Sequence, residues 1–163
     1  LAALREGGRV TAAELEALDA DNALYDVFAL TDAALAGDAA RALRVLSGLR
    51  AEGEDVIPLL GWLLTQLDLA LRLASADNFD AAVRAEHNFW PAKQRLFSAA
   101  LKRAGRGPAH WERCLAWYAR IDRMAKGREQ DDAGRSIGDP WREFERLLVA
   151  IAQPRAAAVL LAA

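Results

Sequence analysis

Few residues in this sequence could do chemistry, and their spacing does not favour it. His87 and His110 have no partners at zinc-ligand spacing, and the single cysteine, Cys114, cannot complete a tetrahedral site. A histidine working as a general base needs a positioned partner, so both are read as helix-terminal or surface groups. Cys114 shares a helical face with Trp111 and Tyr118, where a free thiol behaves as a small hydrophobe, and no activating neighbour is legible around it. The carboxylates Glu129, Asp131 and Asp132 lack the alternating positions, central glycine and closing glutamate of a calcium loop, which leaves them solvated. No GxxxxGK[ST] phosphate loop occurs, and Gly7-Gly8 and Gly105-Arg106-Gly107 flank no strand that would support one. The expectation is a segment with no catalytic residue, no cofactor and no metal.

Five tryptophans are the more informative excess. Trp62, Trp111 and Trp141 fall on apolar faces and are expected in the core. Trp90 and Trp117 lie at helix starts or flanks, from which a large aromatic can anchor a partner, although core burial is the safer reading for aromatics at helical spacing. Lys93, Arg95, Lys102, Arg103 and Arg106 form one basic run, and Lys126, Arg128 and Arg135 another. The formal net charge of -2 over 163 residues provides no general field for phosphate, so both runs are expected to be solvated faces.

The elements that would position these residues are helices. Apolar residues make up 53% of the chain and charged residues 27%, ordinary for a soluble domain with a substantial core. Thr11 and Glu14 match a capping box, with Val10 and Leu15 spaced as its hydrophobic staple. That helix is expected to stop near Leu18, before the polar Asp19-Ala20-Asp21-Asn22. A second helix runs from Ala23 to Gly37, and Asp38 caps a third that closes at Gly53, forming a hairpin. Then comes Val56 to Ala74, whose leucines cover every face of the wheel, which predicts burial all round. It approaches a membrane span in length, but Gln66, Asp68 and Arg72 lie inside it, and an ionised side chain mid-bilayer costs about 3 kcal/mol or more. Asp68 and Arg72 stand four apart and can pair along one edge. Asp77 or Asn78 caps a short helix to about Glu86, and another begins around Phe89-Trp90-Pro91. Pro108 opens a longer one carrying Trp111, Cys114, Leu115, Tyr118 and Ile121 on one face, and Arg128 to Gly138 is a loop. Asp139 and Pro140 start the last strong helix, with Trp141, Phe144, Leu148 and Ile151 recurring until Pro154. No strand pattern and no repeat period appears. The fold class is all-α, a helical bundle.

The order of these pieces resembles the delta subunit of the bacterial DNA polymerase III clamp loader. The carrying residues are Phe28 to Asp38, then Ala42-Leu43-Arg44-Val45-Leu46, then Gly53-Glu54-Asp55 leading into the leucine-rich helix. Phe89-Trp90 followed by Lys93, the stretch Ile121 to Gly127, and Trp141 with its apolar successors continue the likeness, over about residues 23 to 155. The resemblance implies a C-terminal helical collar domain at 21–163, through which loader subunits of the gamma/tau and delta-prime type assemble, with residues 1–20 ending a preceding lid domain. It implies a non-ATPase subunit that meets the sliding clamp through an N-terminal domain lying outside this chain, and primed DNA in the full complex. The chain begins at Leu1 and its only methionine is Met124, so it is read as a fragment. One cysteine and no charged-then-apolar opening point to a reducing, cytoplasmic setting without membrane contact. The terminal helix with Trp141, Phe144 and Leu148, and the apolar tail with Val159 and Leu160, are expected to meet another subunit. Two other expectations stand beside this one: the collar of a sister loader subunit, and a helical nucleic-acid-binding module using residues 93–106.

Overall fold

The computed structural model describes residues 11–162, with the side chains at 15, 16 and 18–24 outside the description. Among the described residues there are eight α-helices, one turn of 3-10 helix and no strand. The helices are α1 (Ala12–Leu35), α2 (Ala39–Ala51), α3 (Val56–Ser75), α4 (Phe79–Ala85), α5 (Pro91–Ala104), α6 (Ala109–Ala125), α7 (Pro140–Ala152) and α8 (Ala157–Leu160).

Local signals set most of the helix ends. The capping box closes at the start of α1, where the Glu14 backbone N–H donates to Thr11 Oγ1 and the Thr11 backbone N–H donates to Glu14. Its staple lies outside the described residues. Asp38, Asp55, Asn78 and Asp139 cap α2, α3, α4 and α7 by accepting backbone N–H bonds. At the end of α1 the Gly37 N–H donates to the Ala34 carbonyl and the Asp38 N–H to the Ala33 carbonyl, a Schellman closure that needs the left-handed φ of +83° at Gly37. Arg103 also packs against this glycine and donates to the Leu35 carbonyl, which ties α5 to the end of α1.

One expected boundary is corrected. No break occurs at Asp19-Ala20-Asp21-Asn22: α1 runs through these residues as part of a single 24-residue helix. Asp and Asn are only modestly poor helix formers, and no proline or glycine stands there to force an end.

In packing, α1 lies against α2, α3 against α6, and α7 touches α1, α2, α6 and α8. The core runs through Leu30, Leu46, Leu49, Leu59, Leu60, Leu63 and Leu67 to Phe97, Trp111, Ile121, Phe144, Leu147, Leu148 and Ile151. Each large apolar side chain buried there contributes about 1.5–3 kcal/mol relative to exposure. The hub is therefore shared between α3 and α7.

Helix α3 is not covered all round, which corrects the expectation. Leu59, Leu60, Leu63, Leu67, Ala70 and Leu73 are buried, while Ile57, Pro58, Gly61, Leu64 and Thr65 form an open stripe continuing into Asp68 and Arg72. α3 has the length and hydropathy to cross a membrane, and half of that window is buried against the other helices. Arg72 pairs with Asp68, as its spacing predicts, and reaches Glu86 as well.

Candidate functional site

Two reactive side chains, His110 and Cys114, are held by burial in states that suppress reactivity. His110 and Cys114 stand one turn apart on α6, with Sγ 3.6 Å from Nε2, a pairing the sequence reading missed although its four-residue spacing is a usable signal. Burial pushes the Cys114 thiol up to about 12, opposed in part by Arg113, and pushes the His110 imidazole down to about 4, with Arg113 acting in the same direction. At neutral pH this is a thiol beside a neutral imidazole, the reverse of the ion pair that makes cysteine a nucleophile. His87 is exposed in the turn after α4.

Two of the three carboxylates of the 128–138 loop are paired, and the third, Asp132, is exposed. Glu129 meets Arg123, and Asp131 meets Arg135 at 2.7 Å while accepting the backbone N–H groups of Ala133 and Arg135. Those hydrogen bonds, above all from the Arg135 backbone, hold the Asp131 carboxyl below the usual carboxylate range. The loop is a tight hairpin with one antiparallel bridge between Gln130 and Ser136. No group of three or more potential metal ligands occurs among the described residues.

The surface expected to meet a partner is distributed unevenly. Phe144 and Leu148 have no exposed surface, because the inner face of α7 is covered by α1, α2 and α6. They are core residues and have no surface to present to another subunit. Trp141 is half-buried, with the Arg50 guanidinium 5.5 Å from its ring centre. The tail does find core slots: Ala157 and Leu161 are buried and α8 lies on α7. Val159, 80% exposed, and the partly buried Leu160 keep apolar surface in solvent, beside the exposed Ala158 and Ala162.

The tryptophans also divide differently from expectation. Trp111 and Trp117 are both buried, so Trp117 is a core residue, with Arg120 over its ring at 4.8 Å. Their indole N–H groups have no acceptor among the described residues. Trp62 is half-buried and donates its indole N–H to Thr31 Oγ1 at 2.9 Å, while its ring lies 4.5 Å from that of Phe28. Trp90, the residue before α5, is 57% exposed.

These last side chains outline a cleft of about 540 Å³ between α1, α3 and α5. Tyr25 and Phe28 come from α1, Trp62 and Gln66 from α3, and Trp90 with Lys93 from the start of α5; Asp32 and Arg41 complete the polar part of the wall. Burial raises the Asp32 carboxyl above the usual range, against the opposing pull of Lys93 and Arg41. The Lys93 ammonium lies 5.5 to 5.9 Å from the ring centres of Phe89, Trp90 and Phe97. The aromatic excess was the sequence signal for this cleft. Its assembly from positions as far apart as 25 and 93 was not legible.

What the described residues define is an all-α helical bundle with partly open apolar helix faces and an aromatic-lined cleft. Compared with known proteins, the chain matches no family model, no curated protein and no solved structure.

Proposed function

We propose that this chain is a helical assembly domain, the collar of a clamp-loader subunit of the DNA polymerase III delta type. On this reading it contributes to loading the sliding clamp by holding the subunits in register, and it performs no chemistry itself. Residues 21–163 are the collar and residues 1–20 end a lid domain, so the boundary falls inside α1, a helix shared by the two. The partners are loader subunits of the gamma/tau and delta-prime type in the cytoplasm, with clamp and primed DNA engaged by the complete assembly.

The observation that carries the reading is the order of the helical pieces. The α1–α2 hairpin turns at Gly37-Asp38, α2 closes at Gly53, the leucine-rich α3 follows, and the Phe89-Trp90 pair precedes α5, in the sequence the resemblance requires. Suppressed reactive groups and exposed Val159, Ile57 and Leu64 also suit a docking role better than a catalytic one. Co-expression with gamma/tau and delta-prime type subunits tests it: one complex should elute on gel filtration, and Val159→Asp should weaken it. Failure of the chain to join those subunits at micromolar concentration would remove the reading.

A nucleic-acid-binding module remains the second reading because Trp90 and Lys93 sit together at an open surface. It is weakened by Arg103, whose guanidinium is engaged by the Leu35 carbonyl. DNA binding by this chain that falls steeply with salt would favour it. A sister-subunit collar is distinguished by whether a phosphate loop or zinc-binding cysteines occur upstream in the full-length protein.

A further inference from the structure

We propose that the cleft between α1, α3 and α5 is a peptide-docking site for a partner segment that carries an aromatic or large aliphatic side chain flanked by Asp or Glu. The inference is independent of subunit assembly, since neither Val159 nor Leu160 lines this cleft.

Three features converge on that ligand. The first is apolar shape. At about 540 Å³ the cleft falls in the range of sites that enclose a side chain or small ligand, and rings from three separate elements wall it. Tyr25 at 68% and Trp90 at 57% are among the most exposed large apolar side chains described, and both stand at this one place. A side chain entering between them would remove that ring surface from water, as anchor residues do in protein interfaces.

The second is unmatched positive charge. Lys93 and Arg41 both line the cleft and have no carboxylate within ion-pair distance among the described residues. Two cations against the one wall carboxylate, Asp32, leave a local positive excess that favours acidic flanks. The third is unclaimed hydrogen-bonding capacity. Gln66 is 5% exposed and lines the cleft, yet its side chain makes one bond, from Nε2 to Thr65 Oγ1, which leaves Oε1 free to accept. A peptide supplies all three complements: an apolar side chain, carboxylates, and backbone N–H donors for Gln66 Oε1 and the Asp32 carboxylate. A nucleic-acid strand could stack on Trp90, but the Asp32 carboxylate in the wall and the net charge of -2 oppose a polyanion.

The test is selection of a displayed library of random peptides of about 12 residues on the purified chain, followed by fluorescence anisotropy with a labelled synthetic copy of the enriched sequence. Enrichment should join an aromatic or large aliphatic residue to Asp or Glu. Trp90→Ala and Lys93→Glu should each weaken binding about tenfold or more with unchanged circular dichroism, the range expected for anchor residues. A peptide with its acids replaced by Lys should regain affinity for the Lys93→Glu variant, and Val159→Ser should bind like the wild type. No enrichment, an enriched sequence without acids or without a large apolar residue, or undiminished binding to both variants would overturn the proposal. So would a labelled oligo-dT that binds more tightly than the peptide and depends on Trp90, which would assign the cleft to nucleic acid.

Discussion

The His110–Cys114 pair shows how one turn of helix and its surroundings decide the chemistry of two side chains. Both groups are held neutral by burial, and the cost appears when pH forces a charge on either. His110 has a folded value of about 4 against an ordinary 6.5, so below 6.5 the unfolded chain takes up the proton first and stability falls as pH drops toward 4. The loss is on the order of 3 kcal/mol at most. Urea midpoints measured between pH 7 and pH 4 should decline, and His110→Asn should flatten that part of the slope. Cys114 behaves in the opposite sense: its stabilising contribution is complete below the ordinary thiol value of 9 and fades as pH rises toward 12.

At the scale of the element, helix periodicity was legible because it is local. Asp38, Asp55, Asn78 and Asp139 cap where their side chains reach the first free N–H groups, and Gly37, Gly53 and Gly127 close helices with positive φ. Periodicity failed on α3, since a helix with leucines on every side has no preferred buried face until its neighbours arrive. The neighbouring residues Leu63 and Leu64 separate the two faces, the first buried and the second open. Leu63→Ala should cost about 2–5 kcal/mol through cavity formation. Leu64→Lys should stay within about 0.5 kcal/mol, as exposed substitutions do. Chemical denaturation of both variants measures the contrast, and similar losses would mean that α3 is covered on both sides.

For the whole molecule, α7 is what joins the N-terminal hairpin to α6 and to the tail. The tail is consequently structural as well as the segment proposed to dock. Truncation after Gln153 removes the buried Ala157 and Leu161 and uncovers part of α7. A loss of about 2 kcal/mol or more in unfolding free energy is expected from the apolar area involved. Val159→Ser should leave stability unchanged, because that side chain is in solvent. Comparing the two by thermal unfolding and by complex formation separates the tail's folding role from its docking role. A truncated chain with undiminished melting temperature would show that α8 adds nothing to the bundle.

By itself, the sequence determined that this chain is helical and where most helices start and stop. Caps, prolines, glycines and apolar spacing act within a few residues, so a linear reading can follow them. Tertiary structure alone decided that α1 runs unbroken, that Trp117, Phe144 and Leu148 lie inside, and that Tyr25, Trp62 and Trp90 share one cleft. Those outcomes depend on which helix covers which face, and that choice is made by packing between segments tens of residues apart.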